Sequence, residues 1–239
     1  MQQTRKKFKS PPKRYQPRGL AVLYEDHDIL VVNKVSGLLT LSSEAAQEDT
    51  AYFRLNNYVR KGVQKSKNRV YILHRLERDT SGVLIVAKNE LTRDLLLKSW
   101  SKCKKKFRTV VHGILPEKEG VLTSYLAENS IHKMYSVDDY KKGKIAKTGY
   151  KVLQESTAFS MLELDLMTDR KHQARVQFAD LGCPVAGDKM YGPKDKDKSI
   201  KKLAYHAESI TLHHPHTQEE MIFEAKVPGF FYSLMSNKR

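Results

Sequence analysis

The sequence predicts an α+β fold in which a mixed, mostly antiparallel sheet is flanked by helices. Short apolar segments occur in pairs, and polar residues separate the members of each pair, as in β-hairpins. Three helices are predicted between the strands, and one of them has Leu91, Leu95 and Leu96 at helical spacing. At 239 residues, the chain is long enough for one sizeable core or for two small lobes that share a sheet.

The charge of the chain favours a polyanionic partner. The formal net charge is +16 and the pI is about 9.7, which favours nucleic acid over a membrane surface. No apolar run reaches the length of a membrane span, and the N-terminus lacks a hydrophobic secretion signal. Cys103 and Cys183 lack metal-ligand spacing, so we expect reduced, packed thiols in a cytoplasmic protein.

Residues 1–18 are predicted to form a disordered arm before a folded domain over residues 19–239. The arm contains seven basic residues, three prolines and no acidic residue. Because it buries too little apolar area to offset its ordering entropy, we expect no fixed structure. Two roles stay open for it, namely phosphate contacts without sequence recognition and a solubilising tail.

The first strand pair opens the folded part of the chain. Residues 21–24 and 29–34 are mostly apolar and flank an acidic turn, which predicts a β-hairpin. A helix is predicted over residues 50–63. Asp49 or Thr50 is its N-cap, because either side chain can accept a hydrogen bond from the first helical turn.

The middle of the chain alternates strands and helices. The uninterrupted apolar run 83–87 predicts a strand buried on both faces, and Asn89 caps a helix that reaches about Ser101. A strand at 107–114 follows a run of lysines. Residues 117–147 are polar and are predicted to be irregular. The later elements are a short strand at 134–138, a hairpin of 148–153 and 160–166, a helix around Arg175 that ends before Gly182, and a closing hairpin that runs through Leu212 and 221–225.

One polar loop between two predicted strands contains most of the reactive side chains. It reads His-Arg-Leu-Glu-Arg-Asp-Thr-Ser-Gly over residues 74–82 and leads into the apolar strand that ends in Ala87 and Lys88. Because a polar loop held between buried strands can fix its side chains rigidly, this loop is the first candidate for a functional site.

This loop closely resembles the signature loop of the RluA-type RNA pseudouridine synthases. The family pattern is His-Arg-Leu-Asp, two variable residues, Thr-Ser-Gly and an apolar strand ending in Ala-Lys. The residues that match in register are His74, Arg75, Leu76, Thr80, Ser81, Gly82, Ala87 and Lys88. Glu77 stands at the position of the family's nucleophilic aspartate, and Asp79 falls at a variable position.

A second segment resembles the same family's run Thr-Gly-Arg-x-His-Gln-x-Arg-x-His, followed by Leu-Gly-x-Pro-Ile-x-Gly-Asp. The matching residues are Thr168, Arg170, His172, Gln173, Arg175, Leu181, Gly182, Pro184, Gly187, Asp188, Tyr191 and Gly192. Asp169 replaces a glycine and Gln177 replaces a histidine. The resemblance covers nearly all of residues 20–231 and implies the pseudouridine synthase fold, with a cleft across the sheet.

The resemblance implies isomerisation of uridine to pseudouridine in structured RNA, either ribosomal or transfer RNA, with no cofactor and no metal. It implies that Glu77 supplies the reacting carboxylate, as a nucleophile or as a base at the sugar. Arg175 would pair with Glu77 and keep it ionised. Glutamate moves the carboxylate oxygens by roughly an ångström relative to aspartate, which can cost about a hundredfold in rate.

Two further residues would contact the base, and a third would support the framework around them. Phe107 takes the position of a tyrosine that lies flat against the uracil. A phenylalanine keeps the stacking surface, worth about 1–3 kcal/mol, but it has no hydroxyl to accept a proton from carbon 5. An ordinary core position on a strand is the competing interpretation of Phe107. Val176 would be an apolar wall near the base, and Lys105 would be a supporting residue.

Three residues of the loop would bind RNA or shape the loop. Arg75 resembles the arginine that enters the RNA stack where the target nucleotide leaves. His74 is expected to orient the loop rather than transfer protons. Thr80 is expected to fix the turn through local side-chain hydrogen bonds.

Four histidines near the C-terminal end, His206, His213, His214 and His216, raise the question of a metal site. The sequence places no cysteine or acidic residue at zinc-ligand spacing beside them. We therefore expect packing and solvent contacts to account for these histidines.

Two classes of function stay open. Arg75, Thr80 and Arg175 favour an active enzyme, whereas Glu77 and Phe107 favour a catalytically silent RNA-binding protein. A general nucleic-acid-binding module would explain the charge but would leave both matched segments unexplained. We expect a monomer that binds structured RNA.

Overall fold

The structure is a computed structural model that describes residues 8–42, 50–63, 65–193, 197 and 199–236. It consists of two compact units. The first comprises Met1–Cys103 and Ser209–Ala225, and the second comprises Lys104–Glu208 and Lys226–Arg239. Within the described residues, every helix is too short or too polar to cross a bilayer.

The first unit is built on antiparallel strands. Its elements are β1 (Leu20–Glu25), β2 (Ile29–Lys34), α1 (Ala51–Arg60), β3 (Tyr71–Ile72), β4 (Ser81–Ala87), α2 (Glu90–Ser99), the end of β10 (Tyr205–His213) and β11 (Glu220–Glu224). Strand β2 pairs with β1 on one side and β4 on the other, and β11 pairs with β10. All seven residues of β4 are buried, as its apolar run predicted.

The helix caps of the first unit are those that the sequence predicted. Thr50 Oγ1 accepts a hydrogen bond from the backbone N–H of Phe53, and the side chain of Asn89 accepts one from Thr92. Asp49, the alternative cap, lies outside the described residues. Helix α1 ends at Arg60 rather than at residue 63, because Lys61 adopts the left-handed conformation with φ 50°.

The described part of the N-terminal arm lies along β1. Ser10 Oγ donates a hydrogen bond to the Val22 carbonyl (2.6 Å), and Gln16 Oε1 accepts one from the Val22 N–H (3.0 Å). Residues 1–7 lie outside the described residues. The domain boundary at residue 19 stays a prediction.

The second unit is a meander of antiparallel strands with two helices. Its elements are β5 (Lys104–His112), β6 (Glu119–Glu128), β7 (Met134–Val137), β8 (Lys144–Glu155), β9 (Phe159–Leu166), α3 (Gln173–Asp180), the start of β10 and α4 (Gly229–Ser236). The strand order is β5-β9-β8-β6-β7. Helix α4, which the sequence did not predict, buries Phe231 and Met235 against Val110 and Met161 of the strands.

The prediction that residues 117–147 are irregular was wrong. Strand β6 spans ten of these residues and pairs with both β8 and β7. Its apolar residues, 121–122 and 125–127, are interrupted by Thr123 and Ser124, so β6 has no continuous apolar run that would identify it as a strand.

The predicted fold class is confirmed. The ladders β1–β2, β2–β4, β3–β4, β5–β9, β6–β7, β6–β8, β8–β9 and β10–β11 are antiparallel, and one isolated bridge, between Leu39 and Thr50, is parallel. Helices make up a small part of the described chain. The molecule is therefore an α+β protein with a mixed, mostly antiparallel strand arrangement.

Candidate active site

The polar loop between β3 and β4 is anchored by the segment that follows β2. Thr40 Oγ1 donates to the Leu76 carbonyl (2.7 Å) and accepts from the Leu76 N–H (3.2 Å). The N–H of Gly37 donates to the Arg78 carbonyl (2.8 Å). These bonds hold the backbone on both sides of Glu77, whose side chain is half-buried.

A buried lysine lies beneath the same loop. Lys34 is 0% exposed, and its Nζ donates to the carbonyls of Leu38 (2.8 Å), Val35 (3.2 Å) and Arg78 (3.2 Å). Burial lowers the pKa of Lys34 to about 8, although the carboxylates of Asp79 and Glu77 act in the opposite direction. At neutral pH the ammonium is therefore charged, and it attracts the two carboxylates of the loop.

Lys34 is expected to make the free energy of unfolding depend on pH, and the Lys34→Met substitution should remove this dependence. Its pKa is about 8 in the folded protein and 10.5 ordinarily, so the unfolded chain holds a proton that the native protein releases between these values. Stability should therefore rise with pH across this window, by about 3 kcal/mol in full. Urea unfolding of both proteins at pH 7.5 and 9.5 measures the difference. Equal pH dependence in the two proteins would contradict this assignment.

Three loop residues have clear structural positions. His74 Nε2 accepts a hydrogen bond from the Ile85 N–H (3.0 Å), and its ring lies 4.7 Å from that of Trp100. This contact fits the orienting role expected for His74. Arg75 is exposed. Gly82 has φ 118°, a conformation that a side chain would strain, so the glycine shapes the entry into β4.

Thr80 does not fix the turn as the sequence predicted. Its backbone N–H donates to the Glu77 carbonyl (3.2 Å), but its Oγ1 is buried and has no hydrogen-bond partner within the described structure. The turn is thus closed by the backbone, and the hydroxyl is a buried polar group without compensation.

Thr80→Val is expected to stabilise the protein by about 1 kcal/mol, because valine keeps the shape and removes the unsatisfied hydroxyl. Urea unfolding at pH 7.5 measures the change. Thr80→Ser is the matched control, since serine keeps the hydroxyl and loses the methyl group. A destabilised Thr80→Val protein would show that the hydroxyl is hydrogen-bonded in solution.

Four predicted site residues lie in the second unit, on β5 and α3. Arg175 is clamped by Asp188, whose side chain is 0% exposed, through Nε to Oδ2 and Nη2 to Oδ1, each at 2.7 Å. Asp188 Oδ1 also accepts from the N–H groups of Met190 (2.9 Å) and Tyr191 (3.1 Å). Burial alone would raise the pKa of Asp188, but the hydrogen bonds and charge of Arg175 hold it below its ordinary range.

The aromatic ring of Tyr191 completes the support for Arg175. The guanidinium carbon lies 5.2 Å from the ring centroid, and the Tyr191 hydroxyl lies 2.8 Å from His172 Nδ1. His172 is the left-handed residue, φ 54°, that precedes α3. The sequence matched Asp188 and Tyr191 to the family but did not assign them this role.

A polar network holds α3 on its strands at the position where the family has a histidine. Gln177 Oε1 accepts from Thr148 Oγ1 (2.6 Å), and its Nε2 donates to the carbonyls of Ala146 (3.1 Å) and Leu122 (3.2 Å). The glutamine therefore satisfies buried backbone groups of β6 and β8. This network fixes the helix that bears Arg175.

The other three predicted site residues of the second unit are buried. Val176 packs against Leu126, Met134 and Ala146. Lys105 Nζ lies 3.0 Å from Asp169 Oδ2, the residue that replaces a family glycine. The ring of Phe107 stacks on that of Tyr205, with centroids 4.8 Å apart and planes inclined by 18°. The roles of these residues toward RNA, and the pairing of Glu77 with Arg175, stay predictions.

The C-terminal histidines do have acidic neighbours, which the sequence did not reveal. His214 Nε2 lies 3.1 Å from Asp26 Oδ2, and His216 Nε2 lies 3.5 Å from Asp28 Oδ1. His214 Nδ1 accepts from the N–H groups of His216 (3.4 Å) and Thr217 (3.3 Å). Asp26, Asp28 and His214 each offer one oxygen or nitrogen atom, and these atoms lie within 4.8 Å of one another.

Comparison with known proteins identifies the family. The family model described as RNA pseudouridylate synthase matches residues 28–180. The chain is 32% identical over 236 residues to the uncharacterized RNA pseudouridine synthase YlyB of Bacillus subtilis, covering 94% of this chain and 74% of that protein. It is 32% identical over 228 residues to ribosomal large subunit pseudouridine synthase D of Nitrosomonas europaea, covering 90% and 64%.

Two solved human structures share the fold. Human RNA Pseudouridylate Synthase Domain Containing 4 superposes with a TM-score of 0.74 at 22% identity, covering 88% of this chain and 90% of that chain. Human RNA Pseudouridylate Synthase Domain Containing 1 gives 0.72 at 23% identity, covering 94% and 89%. The sequence relatives and the shared fold agree. The chain therefore belongs to the RluA-type RNA pseudouridine synthase family and is an isomerase.

Proposed function

We propose that the protein isomerises uridine to pseudouridine within structured ribosomal or transfer RNA, and that Glu77 is its reacting carboxylate. The observation that carries the proposal is the anchored loop. Thr40, Gly37 and Lys34 bind its backbone on both sides of Glu77, and the Lys34 ammonium attracts the carboxylate. A carboxylate held in this way has the fixed position that reaction at a ribose requires.

The reaction replaces the bond between the ribose and a nitrogen of the base with a bond between the ribose and a carbon of the base. The bond between C1′ and N1 breaks, the uracil rotates, and C1′ joins C5. The C5 proton is then lost and N1 gains a proton. Glu77 is proposed to act at the sugar, either as the nucleophile at C1′ or as a base, and both roles stay open.

Arg175 is proposed to act on the same uridine and to keep Glu77 ionised. The clamp by Asp188 and the ring of Tyr191 support this role, since they hold the guanidinium in one orientation. Phe107 is proposed to stack on the uracil and Val176 to contact it, with Lys105 supporting the strand. Arg75 is proposed to bind the RNA, and His74 to orient the loop that bears Arg75.

The competing function is RNA binding without turnover, which the longer Glu77 side chain and the missing hydroxyl at Phe107 favour. RNA transcripts tritiated at uracil C5 separate the two, because only isomerisation releases that tritium to water. Release from ribosomal or transfer RNA supports the enzyme. Binding without release from either RNA pool would leave the RNA-binding function. Mapping pseudouridines in cells that lack the gene would then identify the RNA and the uridine.

The protein is further proposed to act as a monomer in the cytoplasm. Cys103 and Cys183 are both buried and form no disulfide, which suits a reducing compartment. Light scattering of the purified chain tests the monomer, since a mass near twice 27.5 kDa would contradict it.

A further inference from the structure

We propose that Tyr205 accepts the C5 proton in the isomerisation, in place of the hydroxyl that Phe107 lacks. This inference rests on the proposed function and adds a catalytic residue to it. After C1′ has joined C5, that carbon holds both the sugar and a hydrogen. The product forms only when a basic oxygen removes this hydrogen, and a phenylalanine beside the base offers none.

The geometry that points to Tyr205 is its stack on Phe107. The two rings lie 4.8 Å apart and within 18° of parallel, on neighbouring strands β5 and β10. Stacked side chains on adjacent strands extend from the same face of the sheet. The Tyr205 ring, which bears a hydroxyl, therefore lies directly against the ring of Phe107 on this face of the sheet.

Hydrogen bonds on both sides of Tyr205 fix its position relative to Phe107. The Ala204 carbonyl accepts from Thr109 Oγ1 (2.8 Å) and from the Val110 N–H (3.1 Å). Arg108 binds Glu208 through two nitrogens, Nε to Oε2 at 3.0 Å and Nη2 to Oε1 at 2.8 Å. These contacts hold the backbone of both strands, so the offset between the two rings is fixed by the fold.

The proposed step balances without a cofactor. The C5–H bond breaks and its electron pair forms the C5–C6 double bond, while the C6–N1 π pair returns to N1. The proton moves to the Tyr205 oxygen, which passes its own proton to water. N1 takes a proton from solvent, so the phenol is restored and the number of protons is unchanged.

The test exchanges the hydroxyl between the two rings. Tyr205→Phe should slow tritium release from C5-tritiated RNA by about a hundredfold, the scale of a lost general base. It should also change the pH profile of the rate. The double variant Phe107→Tyr with Tyr205→Phe should recover most of the rate, because it returns a phenol to this stack. Thermal unfolding of both variants checks that each protein still folds.

The outcomes separate this inference from the proposed function. If wild type releases tritium and Tyr205→Phe releases it equally fast, Tyr205 is not the acceptor and the proposed function stands. A slow Tyr205→Phe protein that the second substitution fails to rescue would assign Tyr205 a structural role and overturn the inference. If the wild-type protein releases no tritium from ribosomal or transfer RNA, the proposed function is wrong, and the inference about Tyr205 is wrong with it.

Discussion

Glu77→Ala is expected to abolish tritium release from C5-tritiated RNA while leaving RNA affinity unchanged. The carboxylate is the group proposed to act at the sugar, and no other loop acid can replace it, because Asp79 lies two residues further along the loop. The loop backbone is held by Thr40, Gly37 and Lys34, so the alanine variant should keep its shape. Single-turnover release and a filter-binding titration measure the two quantities.

Glu77→Asp is the matched variant, and it should raise the rate. The shorter side chain restores the family's carboxylate position, and a correction of about one ångström is worth up to about a hundredfold. Glu77→Gln, which keeps the size and removes the charge, should behave like alanine. Full turnover by Glu77→Ala would show that the reacting group lies elsewhere.

Asp188→Asn is expected to destabilise the protein by about 3–5 kcal/mol, the effect of leaving a buried charge without its partner. The substitution keeps the shape of the side chain but removes the charge that neutralises Arg175 at two 2.7 Å contacts. It should also slow turnover, since the guanidinium loses its fixed orientation. Urea unfolding and tritium release measure these effects.

A second ion pair of the same unit provides the control for Asp188. Asp169 pairs with Lys105 at 3.0 Å, but its side chain is 62% exposed. Asp169→Asn should therefore change stability by about 1 kcal/mol or less. If Asp188→Asn destabilised no more than Asp169→Asn, the clamp would not be the support of Arg175 that its geometry indicates.

Acid should weaken the same clamp. The pKa of Asp188 is lowered in the folded protein, so its ionised form contributes stability above the ordinary aspartate value of 3.8. That contribution is lost as the pH falls below this value and the native carboxylate becomes protonated. Asp188→Asn should therefore show a smaller loss of stability between pH 5 and the acid limit than wild type does.

Local patterns were sufficient for most elements and for the family. Strand β2 runs from Ile29 to Lys34 as its apolar run predicted, and Thr50 and Asn89 cap the helices they were expected to cap. Each of these features is determined by a few adjacent residues. Strand β6 was missed because its stability comes from pairing with β7 and β8 rather than from buried side chains of its own.

The supports of the site could not be derived from sequence, because they join residues far apart along the chain. Lys34 reaches Arg78 across 44 positions, and Thr40 reaches Leu76 across 36. The sequence contained one indication that Lys34 is buried, because the residues that precede it form an apolar strand. The stack of Phe107 on Tyr205 gave none, because 98 positions separate the two rings and no periodicity relates them.

The central proposal is that Glu77 and Arg175 act together on the same uridine. Single-turnover tritium release by wild type, Glu77→Asp, Arg175→Lys and the double variant tests it directly, since lysine keeps the charge and loses the bidentate fork. We predict that the rate gain of Glu77→Asp disappears in the Arg175→Lys background, because the carboxylate is then no longer aligned. An equal gain in both backgrounds would contradict the claim.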